Sequence, residues 1–504
     1  MPLTSAQSKP SDPHIVVPVA LDAAKPAEKP EAEKETPPPV VTHHEVHVDG
    51  RTLAYSVTTG LMPIRTDAGV KEADIFFMAY TLTGAANPGE RPLMFSFNGG
   101  PGSSSVWLHM GALGPRRVKM LDDGSLPPPP YRTEDNSLTW LEHTDLVFID
   151  PVGTGFSRPV KPEDGKKFWN VEGDVASVGE FIRLYLTRYL RWSSPLFLVG
   201  ESYGTTRAAG LSDFLIEKGI ALNGIVLVSS VLNFQTLSFD AGNDLPYILF
   251  LPTYTATAWY HKRLADDLQA SLPDTLAEVE AWAQSAYAAA LGKGSDLPDA
   301  EREEVAAALS RYTGLERRFI EQSNLRIEIH RFCRELLRDQ GRTVGRLDSR
   351  IESVHLPSAA EMPEFDPSMT AIRPPYTAIF NDYVRRDLGY ETDREYFILG
   401  GGMQKAWEWG GRTGYVDTSE ALVKAFAKNP YMKLFVASGY YDLATPYYAT
   451  RYTIRHINVA VPTRANIRTA DYEAGHMMYI HADSLRKLKA DIAAFIAFAL
   501  EPPQ

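Results

Sequence analysis

Ser202 stands in PLFLVGESYGTTRAAG, and no other stretch of the chain restricts the fold so tightly. Residues 195–199 form an apolar run of strand length, the run breaks at Gly200, and the residues after Ser202 carry a helical pattern. A serine between a strand and a helix, with glycine two places away on each side, marks a strained strand-to-helix turn that lifts the hydroxyl clear of the backbone. Only glycine-sized neighbours fit so tight a turn, which accounts for Gly200 and Gly204. The amides that follow point at one place, so the segment predicts a nucleophilic serine that carries an acyl group.

The rest of the chain supplies a sheet for that turn. EVHVDGRTLAYSVTTG alternates polar and apolar residues about Asp49-Gly50 and reads as a β-hairpin. ADIFFMAYTLTG gives another strand, and buried-type runs follow: PLMFSF before Asn98, LVFI before Asp150, PLFLV before Gly200, GIVLV from Gly224 and KLFVASG from Lys433. Helical patterns alternate with them. Val171, Val175, Val178, Ile182 and Tyr189 share one stripe, and Ala208, Leu211, Phe214 and Leu215 share another that ends at Gly219. Such alternation predicts an α/β fold with a mostly parallel central sheet and helices on both faces. Between residues 240 and 395 the pattern becomes helix after helix, with Thr313 and Glu316 read as a capping box. The expected organisation is therefore a core of 46–239 and 396–504, a helical cap inserted at 240–395, and a segment of 1–45, rich in Pro, Lys, Glu and Ala, that cannot bury enough apolar surface to order itself.

Composition narrows the function classes. The net charge is −12, without a basic run, which argues against nucleic acid as a partner. No apolar run approaches the length of a membrane span. Cys333 is the single cysteine, so no intrachain disulfide forms. IVVPVAL is short, broken by Pro18 and without a basic leader, a poor signal peptide; a cytoplasmic home is favoured, with export after leader removal as the alternative.

A serine hydroxyl needs a base to take its proton and an acid to orient that base. The best acid is Asp442, just beyond the strand KLFVASG, and the best base is His476, after the run NIRTA and beside Gly475. The order Ser, Asp, His at strand ends is that of the α/β-hydrolase arrangement. FSFNGGPGSSS, another strand followed by a glycine-rich loop, offers the second amide of an oxyanion hole, with Gly100 and Tyr203 as the candidate donors. A phosphate loop is excluded because no Lys follows the glycines, and DPVGTGFS lacks the helix that a dinucleotide site requires. HHEVH, with His43, His44 and His47, reads as a surface strand rather than a metal site. Trp107, Tyr440 and Tyr441 flank the expected site and would wall an apolar pocket.

Taken together, NGGPGSSS, DPVGTGFS, GESYG, the Asp after SGYY, and GHMM resemble the serine carboxypeptidases of the carboxypeptidase C and cathepsin A type. The resemblance implies an α/β-hydrolase fold with a helical cap and release of single residues from peptide C-termini, with no metal or other cofactor. It implies Ser202 as nucleophile, His476 as general base and then acid, Asp442 as its orienting partner, and Gly100 and Tyr203 as oxyanion donors. Asn98 and Glu201 match residues that hydrogen-bond the terminal carboxylate of the substrate, and Met477 matches a side chain of the leaving-group pocket. The implied partner is a peptide; the oligomeric state is left open, a homodimer among the options.

Two departures from that pattern stand out. Ala112, in GALGP, replaces a second Glu that pairs with the first in such proteins, and Ser103 replaces a Cys. The first removes half of a carboxylate clamp. His109, three residues earlier, is the candidate to take its place as an imidazolium, and Arg116 and Arg117 are its rivals beyond the turn at Pro115. The leading expectation is a serine-type carboxypeptidase. The alternatives are an esterase or acyltransferase of the same fold, and a binding protein built on an inactive hydrolase.

Overall fold

The structure, a computed structural model, describes residues 36–85, 87–354, 356, 359–410 and 414–501. Residues 36–501 make one unit. Of the segment expected to lack order, residues 1–35 lie outside the described residues, while β1 (Val40–Val48) starts before the expected boundary at residue 46. It runs antiparallel to β2 (Arg51–Arg65) through a turn in which Asp49 and Gly50 both take positive φ, the geometry a two-residue hairpin needs. The His43, His44 and His47 cluster lies on β1.

The central sheet continues with β3 (Lys71–Leu82), β4 (Leu93–Phe97), β5 (Asp145–Ile149), β6 (Leu196–Ser202), β7 (Gly224–Ser230), β8 (Lys433–Gly439) and β9 (Ile467–Tyr472). Their spatial order is β1-β2-β3-β5-β4-β6-β7-β8-β9. The pairs β5/β4, β4/β6, β6/β7, β7/β8 and β8/β9 are parallel, so the antiparallel part is confined to the β1–β3 end.

Period-two alternation explains how each strand serves two cores. Phe76, Met78, Met94, Phe197, Val199, Val226 and Phe435 point into one layer; Ile75, Phe77, Phe95, Leu198, Ile225 and Leu434 point into the other. The second layer is covered by α1 (Val171–Arg188), α2 (Tyr203–Glu217) and α7 (Ser419–Lys428), whose stripes include Val178, Leu211 and Leu422. The first is covered by α6 (Pro367–Arg386) and α8 (Ala482–Leu500), through Phe380, Leu488 and Ile492.

The segment expected as an inserted cap, 240–395, is less uniform than its pattern suggests. α3 (Leu245–Tyr260), α4 (Asp299–Thr313) and α5 (Ile329–Glu335) pack around their own cluster of Leu251, Tyr254, Leu309 and Phe332, and Leu443 of the sheet domain joins them. A short antiparallel ribbon, Arg342–Val344 with Glu352–Val354, interrupts the helices, and α6 belongs to the main core. The expected capping box is absent. Thr313 ends α4 with its hydroxyl on the Leu309 carbonyl at 2.6 Å, and Glu316 alone occupies the N-cap of the following helix.

Candidate active site

β6, β8 and β9 are parallel strands of one sheet region, so their C-terminal ends open on the same edge, where ligands bind in such sheets. Ser202 closes β6 with φ 60° and ψ −131°, a conformation that costs a non-glycine residue of order 1–3 kcal/mol and that the surrounding packing must hold. The packing leaves no slack: a Cβ on Gly200 would sit 2.2 Å from the Gly204 carbonyl oxygen. Behind the turn, Arg207 forms a buried ion pair with Asp174 at 2.8 Å and donates to the Asn98 carbonyl at 2.7 Å. The Tyr203 hydroxyl donates to the same Asp174 carboxylate, tying the elbow, the Asn98 loop and α1 together.

Asp442 follows β8 and is fully buried. Its Oδ1 accepts from the amides of Ala444 and Thr445 at 2.8 and 2.9 Å, and its Oδ2 accepts from the Thr445 hydroxyl at 2.7 Å and from His476 Nδ1 at 2.8 Å. That last bond fixes the ring and leaves Nε2 for chemistry. Burial works against a charged imidazole, but the Asp442 carboxylate outweighs it and raises the His476 pKa above its ordinary value, with Glu201 adding to the effect. Ser202 and His476 line one pocket. Among the hydrogen bonds of the described residues, the one between the serine hydroxyl and the ring is the one link of the expected triad not made in this geometry.

The glycine-rich loop after β4 reaches the elbow directly. A Cβ on Gly99 would fall 2.4 Å from the Tyr203 nitrogen, so only glycine lets the two backbones meet. Gly100 and Ser202 share both pockets of the site. The DPVGTGFS segment supports this loop rather than a nucleotide: Asp150 accepts from both the amide and the hydroxyl of Ser105 at 2.8 Å, and burial pushes its carboxyl up to about 6.

Two cavities meet at Ser202. The small one, about 130 Å³, holds Asn98, Glu201, His476 and Met477, with Trp107 and Ile372 among its walls. The large one, about 790 Å³, is lined by Phe234, Phe239, Phe250 and Leu443 and does not include His476. Tyr440 and Tyr441, expected near the site, line neither; Tyr441 packs instead against Tyr260.

Glu201 is buried beside the serine. Burial pushes its carboxyl up to about 7, against the opposing effects of His476 and of hydrogen bonds from Tyr479 and Asn98. The Tyr479 hydroxyl donates to Glu201 Oε2 at 2.5 Å. Tyr479, which no sequence motif marks, thus gives Glu201 a neutral partner near the place where Ala112 offers none.

His109 does not fill that gap. It is buried in a turn of π-helix, its Nε2 bonds the Tyr80 hydroxyl at 2.7 Å, and its ring stacks on Phe148 at 4.2 Å. Burial lowers its pKa to about 3, so it is a neutral core residue, and it lines neither cavity. The i, i+3 expectation fails because π-turn geometry turns the ring into the sheet. Arg116 and Arg117 pair with Asp135 and Glu134 on the opposite strand of their own two-stranded ribbon.

A further element carries no motif at all. Residues 345–349 cross between the loops of Asp442 and His476. Leu347 accepts the His476 amide at 2.6 Å, Arg346 accepts the Leu443 amide at 3.0 Å, Ser349 donates its amide to the Tyr441 carbonyl at 3.0 Å, and Asp348 accepts the Gly475 amide at 3.2 Å. This strap holds the expected base and its partner in register.

The family model for serine carboxypeptidase matches residues 50–488. Among curated proteins, Serine carboxypeptidase-like 8 of Arabidopsis thaliana is 28% identical over 221 residues, covering 43% of this chain and 46% of that protein. Serine carboxypeptidase-like 5 of the same plant is 28% identical over 166 residues, covering 31% and 36%. The chain thus spans less than half the length of these relatives. Among solved structures, the prohormone-processing carboxypeptidase KEX1(delta)P of Saccharomyces cerevisiae superposes with a TM-score of 0.53 at 15% identity, over 87% of this chain and 91% of that one, a likeness of fold.

Proposed function

The chain belongs to the serine carboxypeptidase family, and from that premise we propose that it hydrolyses peptides one residue at a time from the C-terminus. The observation that carries the reading is the asymmetry of the two cavities. His476 must hand its proton to the departing amine, so the leaving residue occupies the cavity that His476 lines. That cavity is the small one, sized for a single residue, and it holds Asn98 and Glu201. The acyl part of the peptide takes the larger, aromatic-walled space.

In this mechanism His476, held by Asp442, takes the Ser202 proton as the oxygen attacks the scissile carbonyl. The developing oxyanion meets the amides of Gly100 and Tyr203, and each such donor contributes roughly 2.7–4 kcal/mol to the transition state. The imidazolium then protonates the leaving amine, the amino acid departs, and water repeats the sequence on the acyl-enzyme. Asn98 donates to the terminal carboxylate. Glu201, when it holds a proton, donates as well, with Tyr479 satisfying its other oxygen.

The test is mass spectrometry of a peptide mixture after incubation with the full chain. Ladders shortened one residue at a time from free C-termini support the reading; internal cleavage or none contradicts it. One observation favours a second reading, an esterase or acyltransferase: Ala112 leaves half of the usual carboxylate clamp empty. Faster turnover of simple esters than of any peptide, in parallel assays, would favour that alternative.

A further inference from the structure

If the chain is a carboxypeptidase, each released residue brings a full negative charge into the small cavity. Taking a carboxylate out of water is costly unless a cation meets it. Asn98 is neutral, Glu201 is itself an acid, and Ala112 contributes nothing polar. Among the described residues one guanidinium-bearing side chain lines the cavity, Arg346, which also borders the large cavity and a third one beside Cys333 and Asp366, and whose charge is felt at the His476 ring.

Arg346 is well placed to stay there. Its backbone belongs to the strap, with its amide on Asp366 Oδ1 at 3.1 Å and its carbonyl on the Leu443 amide. The neighbouring arginines are spent: Arg342 pairs with Glu352 and Arg350 with Asp348, at 2.7 and 2.6 Å. Asp366 is engaged by the Arg346 amide and by Ser368. Among the described residues, no ion pair or side-chain hydrogen bond engages the Arg346 guanidinium.

We propose that Arg346 is a specificity-determining residue that binds the free C-terminal carboxylate of the peptide, the role that Ala112 cannot fill. A guanidinium presents a planar fork that matches a carboxylate with two parallel bonds. Unlike an acid–carboxylate hydrogen bond, that pairing needs no shared proton. The proposal rests on the carboxypeptidase reading and assigns the group that sets its selectivity for free C-termini.

The experiment compares paired peptides, identical except for a free or an amidated C-terminus, on the full-length native chain, Arg346→Gln and Arg346→Lys. Arg346→Gln is expected to raise KM roughly 30-fold for the free acid and less than about 3-fold for the amide, with Arg346→Lys in between, as for removal of a charged hydrogen-bonding group. Equal rises for both peptides, or a change only in preference at the acyl side, would overturn the assignment. A second measurement needs no variant. At pH 9 Glu201 has lost its proton, whereas a guanidinium needs no shared proton to bind a carboxylate, and the effects of His476 and Tyr479 are common to both peptides of a pair. The native protein should still prefer the free acid there; loss of the preference above pH 8 would overturn the proposal. If the native chain cleaves neither peptide, the carboxypeptidase reading falls and the Arg346 assignment with it, whereas cleavage of both without preference removes Arg346 alone.

Discussion

His476 Nδ1 donates to Asp442 Oδ2 at 2.8 Å, and that carboxylate has no exposure to solvent. The pair sets both the tautomer of the ring and its affinity for a proton. Asp442→Asn should therefore lower kcat by about 10⁴ while leaving the fold intact, because the ring then presents the wrong nitrogen. It should also move the acid limb of the residual activity to lower pH, since the charge that raises the His476 pKa is gone. Rate against pH for an amide substrate checks both outcomes.

Glu201 gives a separate pH dependence. Its carboxyl is raised to about 7, so it is protonated below that pH and donates to a substrate carboxylate, and it is ionised above and repels one. For free-carboxylate peptides, KM should rise a few-fold as pH climbs through 7, with Arg346 limiting the effect. In Glu201→Gln, which cannot ionise, that rise should vanish. KM measured from pH 5 to 9 in both proteins decides it.

Tyr479→Phe removes the donor on Glu201 Oε2. Because that hydrogen bond helps hold the carboxyl down, its removal should move the KM inflection to higher pH. Leaving a buried acceptor unsatisfied costs about 1–3 kcal/mol, so the variant should also unfold at lower denaturant. Chemical denaturation and the KM profile together check the pair of effects.

The strap makes a steric prediction. A Cβ on Gly475 would lie 2.5 Å from the Asp348 Cβ and 2.5 Å from the Leu347 carbonyl oxygen. Gly475→Ala must push residues 347–348 away from the His476 loop, at a cost of about 1–3 kcal/mol. Because Leu347 accepts the His476 amide, kcat should fall together with stability. Unchanged kcat in a folded variant would show that the strap does not position the base.

The sheet is legible in the sequence because its strands are buried on both faces and read as short apolar runs: KLFVASG coincides with β8, and LFLVGES with β6. The elbow is legible because strain and close approach demand glycine at fixed offsets from Ser202. What remains hidden has no local signature. Arg346 shares a cavity with Glu201 and His476, and Tyr479 bonds Glu201, only through the fold, each across more than a hundred residues. The RLDSR run that forms most of the strap carries no periodicity. His109 escapes a helical i, i+3 argument because that argument assumes α geometry, and residues 109–113 form a π-turn. The segment 240–395 reads as helical throughout because a three-residue ribbon is too short to disturb the pattern around it.

The central claim is that Ser202 carries the acyl group of a peptide whose departing residue His476 protonates. Its most direct test is the full chain, native and Ser202→Ala, treated with a fluorophosphonate and then assayed on a free-carboxylate peptide. The expected result is one covalent adduct, mapped by mass spectrometry to Ser202 and absent from the variant, and a fall in kcat of roughly 10⁶ in the variant. An adduct elsewhere, or a Ser202→Ala protein that still shortens the peptide at a comparable rate, would contradict it.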